Sequence, residues 1–454
     1  MTTESGQQPN ILLIMADQLG AHVLDRDAEF SDTPHLDRLA ESGADFERAY
    51  VTFPLCVPSR ASMLTGRMPH ELGISGNALG SRSAESEPAL DENSLGHVLR
   101  RAGYDCAYAG KWHATSPSAP DGTGFDVLSP FGDAGLADAC AEWIRARNGE
   151  TPYFLCASFD DPHTICEYAR RQPMPYGDTR RAPISDAPPL PANFEPAPFE
   201  PEAVRFEKHA AQNVYATEHY TPEEWREYRY AYRQLISRFD GYVGTLLGAL
   251  GDGDAENTIV IVTSDHGDGD ASHRWNQKTA LFEECVRVPL IVAGPGVPRT
   301  TVTEPVSVCL DLVPTVSEIA GVSATPDDTQ PTRRGVPLPL GGPGHPVERD
   351  IVVQTRFERP GPPLTSGRAL YAGAYKYTVY SWGRHREQLH DIERDPGEQR
   401  NLAVESRYDN VLDDLRLRLL TWCRDTDDRD ALKFLVIPAS ADDSIRSEIF
   451  AIPY

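Results

Sequence analysis

The chain has 454 residues, 40 % of them hydrophobic, and a formal net charge of -25 from 68 acidic against 43 basic side chains. That length outgrows one small core and points to a large α/β domain with a lesser one beside it. The acidic balance leaves no basic face to neutralise phosphates, which argues against nucleic acid as a partner.

In chain order, the polar start MTTESGQQPN is followed by the apolar run ILLIMA, which stops at Asp17 after six residues. That is too short for a signal-peptide core or a membrane span, and no other stretch reaches membrane length, so the expectation is a cytoplasmic protein without membrane contact. NILLIMADQ (10–18) is a continuous apolar run ending in Asp-Gln, the pattern of a buried parallel strand. TPHLDRLAESG (33–43) has helical spacing. FPLCVPSRASMLTGR (53–67) then sets Cys56 two positions ahead of a proline and four ahead of an arginine, where an amphipathic helix begins.

ENSLGHVLRRAG (92–103) reads as a helix. DCAYAGKWH (105–113) is a strand ending in Lys111 and His113, and YFLCASFDDPH (153–163) another ending in Asp160, Asp161 and His163. A Pro-rich, polar segment at about 171–221 holds too few apolar residues for a core and too many prolines for a regular element. It reads as a loop draped over the site or as a disordered insertion. The long helix over 221–250 starts with Thr221 as N-cap, Pro222 in the first turn and Glu224 three residues on. NTIVIVTSDHG (257–267) ends in Asp265 and His266.

A second break at 326–346 precedes the alternating RALYAGAYKYTVYSW and the helical YDNVLDDLRLRLLTWCRD. The division is a catalytic α/β domain over 1–345 and a C-terminal α+β subdomain over 346–454. Strands alternating with helices give a large, mostly parallel sheet sandwiched by helices. The terminal strings FLVIPAS and IFAIPY are too hydrophobic for a free tail, so a homo-oligomer contact through them is expected. The eight cysteines form no C-x-x-C pair and no zinc spacing, and most read as reduced, buried side chains.

Ligands of such sheets bind outside the carboxyl ends of the strands. Here four strand ends deliver Asp17 with Gln18, Lys111 with His113, Asp160 with His163, and Asp265 with His266 to one edge. Asp17, Asp265 and His266 make a hard, mainly oxygen site for Ca²⁺, Mg²⁺ or Mn²⁺ rather than a thiolate zinc site, and Gln18 adds a neutral oxygen or orients a ligand. Only five lysines occur, yet Lys111 and Lys278 fall within GKWH and HRWNQK. An ammonium point charge suits a tetrahedral oxyanion, and with Arg60, His113, His163 and Asn77 these lysines would clamp a sulfuryl or phosphoryl group against the metal. Substrate specificity is expected in the Pro-rich loop and around Asn77 and Trp275.

The string C-V-P-S-R followed by A-S-M-L-T-G-R at 56–67 resembles the signature of the formylglycine-dependent sulfatases of the alkaline phosphatase superfamily. PNILLIMADQ, GKWH, SFDDPH, SDHG, RVPLIV, DLVPT and QLHDIERDPGEQRNL are similar to family landmarks in family order. Asp17-Gln18 and Asp265-His266, where many sulfatases carry Asp-Asp and Asp-Asn, resemble the branch that holds choline sulfatases and phosphonate monoester hydrolases. The resemblance implies an alkaline phosphatase-like fold and oxidation of Cys56 by a formylglycine-generating enzyme, the hydrated aldehyde then acting as nucleophile. It implies one divalent metal, Ca²⁺ first with Mn²⁺ or Mg²⁺ as alternatives, held by Asp17, Gln18, Asp265 and His266 beside residue 56. Arg60, Lys111, His113, His163 and Lys278 would hold the sulfate, with His113 or His163 as acid to the leaving alcohol. The implied reaction is hydrolysis of a sulfate monoester of a small molecule or saccharide through a covalent enzyme-sulfate intermediate. A phosphonate monoester or phosphodiester hydrolase with the same nucleophile is the alternative.

Overall fold

The computed structural model describes residues 8–24, 32–77, 90, 92–114, 120, 122–147, 149, 151–179, 183–217, 219–251, 255–322, 334–341, 349–357 and 363–450. The expected domain boundary at 345/346, most of the 326–346 break and the last four residues of IFAIPY lie outside them.

The strands are β1 (Asn10–Asp17), β2 (Ala44–Phe46), β3 (Ala49–Tyr50), β4 (Asp105–Gly110), β5 (Asp126–Ser129), β6 (Tyr153–Pro162), β7 (Thr258–Ser264), β8 (Leu290–Ala293), β9 (Thr300–Val302), β10 (Val306–Ser307), and β11 to β14 (Ile351–Arg356, Ser366–Ala372, Tyr375–Tyr380, Glu387–Asp391). Eight of them form the main sheet in the order β5-β4-β6-β1-β7-β8-β2-β9. The five strands from β5 to β7 run parallel, and β8 alone is reversed against its neighbours.

Both faces of the central strands are covered, which is why they read as unbroken apolar runs rather than as alternation. The period of two is still present: Ile11, Leu13 and Met15 enter one core, Leu12, Ile14 and Ala16 the other. Phe154 and Ile259 flank Ile11 in register, and Cys156 and Ile261 flank Leu13. Each such side chain contributes about 1.5 to 3 kcal/mol through burial.

The helices are α1 (Pro34–Ser42), α2 (Cys56–Thr65), α3 (Leu95–Arg101), α4 (Leu136–Arg145), α5 (Ile165–Ala169), α6 (Glu202–Tyr215), α7 (Pro222–Leu247), α8 (Glu283–Val286), α9 (Val308–Ile319) and α10 (Asp409–Asp425), with short turns beyond. The expected cap of α7 is present: Thr221 Oγ1 accepts from the Glu224 N–H at 3.2 Å, and Glu224 Oε2 accepts from the Thr221 N–H at 2.8 Å. Along α7, Trp225, Tyr228, Tyr232, Leu235, Phe239 and Val243 recur at helical spacing and face the sheet.

Thr33 gives α1 no side-chain cap. Asp240 of α7 takes that role, its Oδ1 accepting from the backbone N–H of His35 at 3.1 Å and of Leu36 at 2.8 Å. Asp240→Ala is therefore expected to cost about 1 kcal/mol, as lost helix caps do, seen as a lower urea midpoint at unchanged slope. An unchanged midpoint would show that α1 needs no cap.

The Pro-rich segment departs from its reading as wholly irregular. Its prolines stop at Pro201, and the next fourteen residues form α6. A proline just ahead of a first turn removes only an N–H that has no partner in the helix, so it does not oppose the helix that follows. Glu207 of α6 accepts a hydrogen bond from Thr365 at 2.7 Å. Upstream, Tyr176 donates to Asp160 Oδ2 at 3.3 Å, while its carbonyl accepts from Arg238 at 2.6 Å, so this part of the segment lies over the end of β6.

Strands β11 to β14 form a separate antiparallel sheet on which α10 packs. Phe434 and Leu435 of FLVIPAS, with Ile445 and Ile449, pack against this same cluster. These four side chains thus find cover within their own chain. No helix among the described residues is long and apolar enough to cross a membrane.

Candidate active site

Parallel strands bring the polar ends of the apolar runs to one edge. Ala16 of β1 pairs with Ser264 of β7, so Asp17 and Asp265 are the next residues on adjacent rungs. The chain turns at once after β1, with Gln18 in the left-handed region at φ 73. Helix α2 starts at Cys56 and is buried along its whole length, ending at Gly66 in the left-handed conformation that suits glycine. Its N-terminus points free N–H groups and a partial positive charge at the strand ends. Asn77, twenty residues on, takes one of those groups, its Oδ1 accepting from the Val57 N–H at 3.0 Å.

Cys56 Sγ lies 3.2 Å from His266 Nε2, 3.2 Å from Lys278 Nζ and 3.8 Å from Asp17 Oδ1. His266 Nδ1 is 3.0 Å from the Gly267 carbonyl and donates there, which turns Nε2 inward. Nε2 stands 3.5 Å from Asp17 Oδ1 and 3.6 Å from Asp265 Oδ1. Asp17, Cys56, Asp265 and His266 each offer a donor atom within 4.8 Å of the others, all buried. Acceptors that converge in this way fit a cation, and the set is hard enough for Ca²⁺, Mn²⁺ or Mg²⁺.

Lys111 bridges Asp17 Oδ2 and Asp160 Oδ1, each at 2.8 Å. Lys278 divides its ammonium between Cys56 and Gln18 Oε1 at 3.2 Å. Burial and Asp17 press the Cys56 thiol up, yet Lys278, His266 and Lys111 outweigh them and hold it well below the usual thiol range. Burial pushes Asp265 up to about 6 against the pull of Arg60; burial also presses Asp17 up, but there Lys111, Lys278 and Arg60 overcome it and hold the carboxyl low. Burial, Lys111 and Lys278 hold the His163 imidazole neutral.

In unmodified, metal-free protein the Cys56 thiolate should persist well below the pKa of about 8.5 of a free cysteine. The lowered pKa means the anion forms at lower pH, and Lys278→Ala, which deletes the largest lowering charge, should move the midpoint up. Thiolate absorbance at about 240 nm, taken as the difference from Cys56→Ser, reads both shifts. A wild-type midpoint at the free-cysteine value would remove the claimed electrostatics.

The structure gathers Asp17, Gln18, Cys56, Arg60, Lys111, Asp265, His266 and Lys278 into one buried cluster. His163 stands at its edge, Nδ1 3.7 Å from Asp160 Oδ1 and Nε2 3.9 Å from Cys166 Sγ. His113 is brought to a neighbouring cavity of about 440 Å³, which Lys111, Trp112 and Phe131 also line, and its buried Nδ1 has no hydrogen-bond partner among the described residues.

Three placements differ from the sequence reading. Arg60, read as a sulfate contact, is 1 % exposed and runs beneath the strand ends, donating to Asp265 at 2.6 Å, Asp17 at 3.1 Å, the Lys111 carbonyl at 2.7 Å and Ser158 Oγ at 2.8 Å. Trp275, read as a substrate contact, is 2 % exposed among Phe282 and Phe357, and its indole N–H donates to the Lys278 carbonyl at 3.1 Å. Asn77 works on the helix start already described. Sequence reasoning missed Asp268, which accepts from Gln18 Nε2 at 2.7 Å, and Cys166, whose thiol donates to Gln18 Oε1 at 3.6 Å. The string SDHGDGD contained a signal for Asp268, two residues past His266; a lone cysteine offered none.

A family model described as Sulfatase matches residues 9–132 and 129–322, and one described as N-sulphoglucosamine sulphohydrolase, C-terminal, matches 271–425. The chain is similar to a Delta 4,5-hexuronate-2-O-sulfatase of Bacteroides thetaiotaomicron, with 30 % identity over 95 % of this chain and 92 % of the relative. It is also similar to a choline-sulfatase of Rhizobium meliloti, with 29 % identity over 88 % and 83 % of the two chains. Among solved structures, a 2-O GAG sulfatase matches with TM-score 0.80 and 28 % identity, over 97 % of this chain and 96 % of that one. With one family model spanning the strand-end cluster, a second over the C-terminal part, and a relative aligned over nearly the full length, the chain belongs to the sulfatase family and is a sulfuric ester hydrolase.

Proposed function

We propose that the protein removes sulfate from a sulfated saccharide, using residue 56 as a formylglycine nucleophile and one divalent metal held by Asp17, Gln18, Asp265 and His266. The observation that carries this is the position of Cys56 at the start of α2, with His266 Nε2 and Lys278 Nζ both 3.2 Å from its sulfur. The relative named a Delta 4,5-hexuronate-2-O-sulfatase makes a 2-O-sulfated hexuronate the first substrate to try.

Charge balance supports the reading. Asp17, Asp160 and Asp265 face Arg60, Lys111 and Lys278, so side chains alone come close to neutrality. A bound divalent cation supplies the excess positive charge that attracts the ester and favours an ionised nucleophile. Lys278, beside residue 56, meets the non-bridging sulfate oxygens, and Lys111 adds its field from its place between Asp17 and Asp160. Trp275 fixes the backbone of Lys278, and Asp268 fixes the amide of Gln18.

His163 gives the leaving alcohol its proton. Burial and the two ammonium groups keep the imidazole neutral. An anionic ester seated on those groups offsets their repulsion, and Asp160 stands 3.7 Å away to favour the imidazolium, so the ring takes up a proton from water as the substrate binds.

The test is peptide mass spectrometry across residue 56 of protein co-produced with a formylglycine-generating enzyme, followed by sulfate release from 2-O-sulfated hexuronate, aryl sulfate and choline sulfate, and phenol release from a phenyl phosphonate monoester. An aldehyde at 56 with fastest release from the saccharide supports the proposal. A thiol that resists maturation removes the nucleophile, and faster turnover of the phosphonate removes the sulfate.

A further inference from the structure

A second group of ligand-type side chains lies apart from Cys56. His273, Glu284 and Glu398 are all buried, and one donor atom of each falls within 4.8 Å of the other two. They come from the turn after β7, from α8 and from the turn after β14. The His273 ring is stacked on Phe282, with centroids 4.1 Å apart and an interplanar angle of 11°, and its Nε2 is 3.4 Å from Asn193 Nδ2.

Charge is unevenly shared in this cluster. Lys376 serves Glu283 Oε1 at 3.0 Å and Glu398 Oε1 at 2.8 Å. Glu398 Oε2 further accepts the Glu283 N–H at 2.8 Å. Glu284, only 8 % exposed, receives a single amide hydrogen bond, from Asn193 Nδ2 to Oε1 at 2.8 Å. Its Oε2 is buried without a hydrogen-bond partner, and among the described residues Glu284 forms no salt bridge. Glu283 and Glu398 thus share the Lys376 ammonium, and Arg287 Nε stands 4.0 Å from Glu283 Oε2, whereas Glu284 has no such ion pair among the described residues; a buried carboxylate in that position calls for a cation or a proton.

The turn itself is strained. Asp270, Ala271, His273, Arg274, Gln277 and Thr279 have φ of 45, 75, 53, 53, 81 and 73°, a region that residues with a Cβ rarely enter. Such a run persists only where its surroundings over-determine it. It frames Lys278, whose Nζ reaches Cys56, so its shape decides where that ammonium stands.

We propose that His273, Glu284 and Glu398 bind a second divalent ion, Zn²⁺ or Mn²⁺, which pins the strained turn that carries Lys278. One imidazole with two carboxylates suits these ions, and the set beside Cys56, where Gln18 adds a further neutral oxygen, suits Ca²⁺ as well. The ion neutralises Glu284 and ties the turn to α8 and to the C-terminal sheet.

The test is a metal count, independent of turnover. Protein stripped by chelator, reloaded with Zn²⁺ or Mn²⁺ and desalted is expected to hold about two equivalents per chain, and Glu284→Gln about one. The substitution keeps shape and deletes an uncompensated charge, so stripped Glu284→Gln should melt no lower than stripped wild type. His273→Asn reaches the same loss by another ligand. In wild type, reloading should also slow amide hydrogen exchange across 270–279, and in Glu284→Gln it should not. A metal count that both substitutions leave unchanged, or exchange in the turn that ignores the metal, overturns the proposal.

Discussion

Cys56→Ala is expected to lower kcat/KM for the sulfate ester by at least about 10⁴-fold, because removing a nucleophile leaves only binding and electrostatic stabilisation. The fold should survive. Cys56 is 1 % exposed and its sulfur touches side chains of the site, not a large apolar contact, so the melting temperature should move by only a few degrees. Cys56→Ser separates nucleophile from exit. A serine oxygen in the same place, beside Lys278 and His266, attacks once, but has no second hydroxyl to expel the sulfate. Intact-mass analysis should then show a lasting gain of about 80 Da on a single enzyme-borne sulfuryl group. Sustained turnover by Cys56→Ala would place the nucleophile elsewhere, and Asp17 and Asp265 would lose their reason for converging on residue 56.

What the sequence disclosed is what depends on short-range pattern. A buried parallel strand announces itself as an apolar run, and the residue that ends the run stands at the sheet edge, so Asp17, Lys111, Asp160 and Asp265 were readable together. The cap of α7 was readable for the same reason, since Thr221 and Glu224 lie within one turn. Direction and distance in space were not. The side chain of Arg60 is long enough to run beneath the site and be consumed by Asp17, Asp265, Ser158 and a carbonyl, and nothing in C-x-P-x-R distinguishes that from an arm reaching the substrate. Asp240 caps a helix about two hundred positions earlier in the chain, a pairing that only tertiary structure creates. Helix α6 was hidden because prolines on its N-terminal side lowered the helical character of the whole window.

Arg60→Met should be the most destabilising change near the site, at about 3 to 5 kcal/mol in metal-free protein at neutral pH, the range found when one partner of a buried ion pair is removed. The guanidinium lies between Asp265, 2.6 Å from Nε, and Asp17, 3.1 Å from Nη2, both fully buried. Without it Lys111 still holds Asp17, while Asp265 keeps only weak partners. Burial already lifts Asp265 to about 6 with Arg60 in place, and losing Arg60 lifts it further. A carboxyl raised in the folded state favours the protonated form, so the loss is smallest at low pH and grows as pH rises through the unfolded-state value of about 4 toward the raised one. A divalent metal would replace part of the missing charge, so stripped protein should lose more than loaded protein. Arg60→Lys should restore little, because one ammonium group cannot reach four acceptors that a planar fork reaches together. Urea unfolding of stripped and loaded protein at two pH values measures each part; a loss under about 1 kcal/mol, or one that metal does not reduce, would return Arg60 to the role of substrate clamp.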